Sequence, residues 1–119
     1  MRFLATAATT SAAFLLTSGL ALAGDYAPLD CSKARTPTEK TICASYKLGQ
    51  DEARMATLFS IATSLVGMGQ RGAIQDEQRD WLKARDACGG TLACLANAYD
   101  ERIKTLNSVI AGIASRGPF

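Results

Sequence analysis

Gln78-Arg79-Asp80-Trp81-Leu82-Lys83-Ala84-Arg85-Asp86-Ala87-Cys88-Gly89-Gly90-Thr91-Leu92-Ala93-Cys94 holds most of the information about how this chain folds. Ile74, Gln78, Trp81, Arg85 and Cys88 recur at spacings of four and three, with Leu82 beside them, so they share one face of a helix predicted from about Ala73 to Ala87. That face is unusual, because a glutamine and an arginine stand where core residues are expected. Gly89-Gly90 breaks the helix, and Thr91 is placed to cap the next one. A continuous helix would hold Cys88 and Cys94 about 9 Å apart along its axis. A disulfide needs Cα atoms within about 7 Å, and the glycine turn brings the two cysteines back together.

Outward from this block, both flanks also read as helical. Downstream, Leu92, Leu95, Tyr99, Ile103, Leu106, Ile110 and Ile113 form the stripe of a long helix extending to about Ser115. Upstream, Gly67-Met68-Gly69-Gln70-Arg71-Gly72 has three glycines in six residues and is read as a loop, first as a plain inter-helix connection of ordinary length and otherwise as a mobile or partner-facing segment. Before it, a helix is predicted from about Gln50 to Val66, carried by Met55, Leu58, Ala62 and Leu65, with Phe59 and Val66 widening the stripe. Thr36-Pro37-Thr38-Glu39 opens an earlier helix: Thr36 caps, Pro37 fits the first helical position, and Glu39 completes a capping box. Residues 24–35 read as an irregular lead-in. No alternating strand pattern of useful length occurs. The expected fold class is all-α, a small domain of three to four antiparallel helices.

The chain begins Met1-Arg2-Phe3 and then carries no charge as far as Gly24. An apolar core around Phe14-Leu15-Leu16 and the small-x-small end Ala21-Leu22-Ala23 complete a secretory signal, with cleavage expected after Ala23. An uncleaved anchor is the alternative. The serines and threonines between Thr6 and Ser18 and the absence of a basic cluster after Ala23 count against it. No cysteine stands at the cleavage point, so no lipid or membrane anchor is expected on residues 24–119. The expected location is the periplasm or the exterior.

Four cysteines in an exported chain of this size point to disulfides. Three connectivities are possible. Geometry favours the local pairs Cys31–Cys43 and Cys88–Cys94, although sequence alone does not choose strictly among them. Zinc is the alternative, but histidine is absent and neither pair has Cys-x-x-Cys spacing. No metal or cofactor is expected.

The chain has 13 Lys and Arg against 11 Asp and Glu, and removing Arg2 leaves a formal +1. This is no nucleic-acid surface. Without histidine there is no imidazole base, and with all cysteines bridged there is no thiol nucleophile. The carboxylates Asp76 and Asp80, and Asp100 with Glu101, stand among Arg79, Lys83 and Arg102 and read as a solvated salt-bridging face. The chain is therefore not expected to be an enzyme. Trp81 is read as a core anchor, with Arg85 over an aromatic ring or paired to a carboxylate. An open Gln78-Trp81-Arg85 recognition patch is the rival reading.

Together these residues resemble the LprI-like family of small exported lysozyme-inhibitor domains. The resemblance is carried by Asp30-Cys31, Thr38-Glu39, Ile42-Cys43, and Leu48 with Asp51. It continues through Gln78, Trp81, Leu82, Arg85, Asp86 and Cys88, then Cys94-Leu95, Tyr99, Arg102-Ile103 and Leu106, roughly residues 29–106. It implies a helical domain with local disulfides, a motif that is mainly structural, and a lysozyme or related muramidase as partner. Animal-type lysozymes are basic, and a charge near +1 offers them no attractive field, so inhibition would rest on shape. Arg71, in the Gly67–Gly72 loop, is the candidate partner-binding residue, a cation offered to the catalytic carboxylates of a cleft. Two other functions remain open on the sequence: an envelope stress or chaperone-like protein, and a non-catalytic module of an envelope assembly. Oligomeric state is not readable.

Overall fold

The structure, a computed structural model, describes residues 26–117; the leader expected at residues 1–23 lies outside the described residues. Four helices follow a short 3-10 turn at Cys31–Lys33: α1 Pro37–Ala44, α2 Tyr46–Ser64, α3 Met68–Asp86 and α4 Leu92–Ala114. No strand occurs among the described residues. The expected all-α class and both local disulfides are present, Cys31–Cys43 and Cys88–Cys94, each with Cα atoms 5.6 Å apart.

Each helix start follows from its residues. Thr36 caps α1 by accepting from the Glu39 N–H, and the Glu39 carboxylate accepts from the Thr36 N–H, closing the capping box. A single residue, Ser45, joins α1 to α2. Its N–H closes α1 on Thr41 and Ile42, and its Oγ accepts from the Leu48 N–H to open α2. Helix α2 therefore begins at Tyr46, four residues before the expected Gln50, and absorbs Gly49 into its first turns. This moves its buried stripe. Leu48, Glu52, Met55, Phe59, Ala62 and Val66 are buried, whereas Leu58 is half-buried and Leu65 is 49 % exposed.

The loop expected at Gly67–Gly72 is helix. Gly67 alone stays extended as the N-cap of α3, and its carbonyl accepts from the Arg71 N–H at 2.9 Å. Glycines in a first turn cost conformational entropy but block nothing, and the Arg71 side chain anchors this turn to the end of α2. At the other junction Thr91 occupies the N-cap of α4 without the expected side-chain bond. Gly89 takes φ +55°, the left-handed value that closes the α3–α4 turn and that glycine adopts without a Cβ penalty.

Consecutive long helices are antiparallel. Arg71 near the start of α3 meets the end of α2, while Arg85 near its end meets Glu52 and Tyr99 early in α2 and α4. Consequently α2 and α4 run parallel, and their facing stripes supply most of the core: Met55, Phe59, Ala62 and Val66 with Leu95, Tyr99, Ile103, Leu106 and Ile113. Ile42 from α1, Leu48 from the first turn of α2 and Ile74 from α3 complete it. None of the described helices is long and apolar enough to cross a membrane.

Candidate functional site

The residues singled out by the motif converge inside the bundle, on a carboxylate that the sequence reading did not select. Glu52 is 3 % exposed and sits between α2, α3 and α4. It accepts hydrogen bonds from the Tyr26 and Tyr99 hydroxyls and, at 3.1 Å, from the Leu29 N–H. The Arg85 guanidinium, 5 % exposed, lies 3.5 Å from the same carboxylate. Arg85 also donates to Tyr26 Oη at 3.3 Å and Tyr99 Oη at 3.4 Å, and to the Asp86 carboxylate at 3.0 and 2.8 Å. Its guanidinium stands 5.6 Å from the centre of the Trp81 ring, a cation–π distance. Trp81 in turn meets Tyr99 edge-on at 5.2 Å and donates from Nε1 to the Ala98 carbonyl at 3.0 Å.

Burial is the first cause that pushes the Tyr26 hydroxyl well above its ordinary pKa, and the Glu52 carboxylate that it hydrogen-bonds adds to this. Tyr99 is raised in the same way, by burial first and then by the charge of Glu52. For Arg85, burial opposes the charged form, but its acceptors on Tyr99, Asp86 and Tyr26 more than offset that and hold its pKa above the usual arginine value. The cluster is thus a buried Glu52–Arg85 ion pair whose two phenols keep their protons at neutral pH.

A second cluster lies about two turns along the bundle. Arg102 Nε donates to Gln78 Oε1 at 2.8 Å, and its other nitrogens reach the Ile74 carbonyl and the Glu77 carboxylate. Gln78 Nε2 faces Met55 Sδ at 3.1 Å. Burial lowers the Arg102 pKa, with Glu77 opposing. Among the described residues no buried side-chain nitrogen or oxygen lacks a partner.

Gln78, Trp81, Arg85, Asp86, Tyr99 and Arg102 are thereby brought together as an internal polar seam, with Leu82 half-buried beside it. An open Gln78-Trp81-Arg85 patch is not what the chain builds, since Gln78 and Arg85 are buried. The seam also ties down the segment before α1 through Tyr26 and Leu29. Thr38, 2 % exposed, donates to the Gly89 carbonyl at 2.9 Å and locks α1 onto the α3–α4 turn.

Arg71 is not on a loop. Its Nε donates to the Thr63 carbonyl at 2.8 Å and its Nη2 reaches the Val66 carbonyl at 3.4 Å, so the guanidinium satisfies the open end of α2. Of the carboxylates read as a solvated salt-bridging face, Asp76 pairs with Arg79 and Asp80 with Lys83 at 3.3 Å, but Arg102, expected beside Asp100 and Glu101, is buried and pairs with Glu77 instead.

Several large apolar side chains are exposed on the outer surface. Tyr46 (83 %) and Leu92 (58 %) stand near the α1–α2 junction and the start of α4, and Met68 (88 %), Leu65 and Ile61 stand at the α2–α3 corner. Met68 lies in the segment read as a loop, where the sequence reading selected Arg71 instead.

A family model described as lysozyme inhibitor LprI matches residues 31–106. No curated protein and no solved structure matches the chain.

Proposed function

This chain belongs to the LprI lysozyme-inhibitor family, and from that premise we propose that it is an exported, periplasmic binding protein that inhibits a lysozyme-type muramidase by covering its cleft. The single observation that carries this reading is the family match, which spans both disulfides and the whole polar seam from Glu52 to Arg102. The family is one of inhibitors, which agrees with a non-catalytic role. The leader pattern at residues 1–23, with cleavage after Ala23, supports delivery of residues 24–119 to the compartment where muramidases act.

Occlusion is the mechanism that suits this chain. An inhibitor with a formal charge near +1 gains little from long-range attraction. Its affinity must come from a surface already in its binding shape, because a rigid partner loses little conformational entropy on association. Two disulfides, a satisfied interior and helices joined by one to five residues supply that rigidity.

The test is a titration of purified, oxidised residues 24–119 against animal-type and bacterial lysozymes, following cell-wall hydrolysis. Saturating inhibition near one-to-one is the expected result. A folded sample that leaves both enzymes fully active at tens of micromolar would remove the inhibitor reading.

A further inference from the structure

The charges of this chain are divided along the axis of the bundle. Because α3 runs antiparallel to α2 and α4, the later turns of α2 and α4 and the first turns of α3 share one end of the molecule. From Ala53 to Gln75 and from Ile103 to Gly117 the chain contains no aspartate or glutamate; Arg54 and Lys104 share a groove with Asp51 and Asp100 at the border of this region, and Arg71 and Arg116 are the cations of the end itself. All the carboxylate side chains of residues 26–117 lie between Asp30 and Glu52 or between Asp76 and Glu101. The small net charge therefore conceals a positive, carboxylate-free end and a mixed, slightly acidic one. The positive end also carries Met68, at 88 % the most exposed large apolar side chain among the described residues, with Leu65 at 49 % and Ile61 at 40 %.

We infer that this carboxylate-free end is the surface that enters the muramidase, with Met68 and Leu65 as its apolar contacts and its positive potential facing the cleft carboxylates. The inference rests on the inhibitor reading above. Muramidase chemistry requires a pair of carboxyl groups flanking the scissile bond, so an occluding surface meets negative charge at the floor of the cleft. A carboxylate brought there would be repelled and left without solvent. The other exposed apolar pair, Tyr46 and Leu92, belongs to the end that holds all the carboxylates, including Asp51, Asp100 and Glu101. Exposed apolar groups exist at both ends; only one end has the complementary charge. Arg71 contributes to that potential from a fixed position, since its Nε is held by Thr63. The same potential favours muramidases with an acidic cleft mouth over strongly basic ones.

The experiment compares wild-type protein with Met68→Glu and Arg116→Glu, and with Leu92→Glu at the opposite end, in the inhibition titration. Circular dichroism and melting temperature establish that each variant is folded. These three side chains are exposed, and among the described residues no side-chain hydrogen bond holds them. Met68→Glu is expected to weaken inhibition about tenfold or more, as for a central contact residue. Arg116→Glu is expected to weaken it less and to reduce its salt dependence. Leu92→Glu should inhibit as wild type does. Inhibition undiminished in Met68→Glu and Arg116→Glu, or lost in Leu92→Glu instead, would overturn the inference while wild-type inhibition keeps the inhibitor reading standing. Absence of wild-type inhibition would remove both. A target whose two cleft carboxyl groups are replaced by amides should bind more weakly, and unchanged binding would also count against this face.

Discussion

Glu52 and Arg85 show how a few residues dominate the interior of a small domain. Both are nearly fully buried; without Glu52 the Arg85 guanidinium keeps Asp86 as a partner, whereas without Arg85 the Glu52 carboxylate is a buried charge with no cation beside it among the described residues. Arg85→Ala should therefore cost about 3 to 5 kcal/mol, a large part of the stability of a domain of this size. The paired change Glu52→Leu with Arg85→Met should recover much of that loss, because apolar groups of similar volume leave no buried charge. Urea unfolding of the single and the double variant beside the wild type checks this. A double variant no more stable than the single one would show that the Tyr26 and Tyr99 hydroxyls, stranded by the change, carry most of the energy. Those hydroxyls also fix an alkaline limit. Their pKa values in the folded state lie above the ordinary 10.0, so the folded chain keeps phenolic protons that the unfolded chain releases. Their contribution is complete below pH 10 and is lost as pH rises toward the folded values. Stability measured across pH 9 to 12 should fall, and less steeply for Tyr26→Phe. Arg85 and Gln78 were legible at this scale, as polar residues in an apolar stripe. Glu52 was not. With the helix start set at Gln50, it fell in the first turn, where an acidic residue is ordinary.

Among the elements, the junctions decide more than the helix interiors. The α1 start was readable because a capping box is a local device: Thr36, Pro37 and Glu39 need only one another. Thr36→Ala should lower stability by about 1 kcal/mol. The Arg35 and Thr36 N–H groups hold the Glu39 carboxyl below the usual carboxylate range, so its share persists above the unfolded pKa and is lost as pH falls through the folded one. Gly49 lies inside α2, and an added Cβ would sit 3.9 Å from the Ile42 carbonyl, an ordinary contact. Gly49→Ala should therefore stabilise by roughly 0.5 to 1 kcal/mol, read as a rise in melting temperature. At Gly90 the same addition meets Thr41 Oγ1 at 3.0 Å, so Gly90→Ala should destabilise unless Thr41 turns aside. The α2–α3 junction was misread because glycine content predicts a break only where nothing else holds the chain. Here Arg71 reaches back to the Thr63 and Val66 carbonyls across the junction, a contact that exists only once both helices are formed.

For the molecule as a whole, the disulfides act as two local clamps. Cys31–Cys43 ties the lead-in to α1, and Cys88–Cys94 closes the α3–α4 turn against which Thr38 docks. Reduction should remove about 2 to 3 kcal/mol per bridge in the chain-entropy account. Thermal melts with and without reductant measure this, and coincident curves would show that helix packing alone supports the fold.

By itself, the sequence determined the helical class, the α1 cap and the family, and it favoured the local cysteine pairs without fixing them. Each of these depends on residues within a few turns of one another. Only the tertiary structure decided that Glu52 is the centre of the polar seam, that Arg71 closes α2, and that the carboxylates collect at one end of the bundle. The physical reason is common to all three. Burial of a charge, satisfaction of a helix end and summation of a field arise from groups remote in the chain, and they exist only once the helices pack.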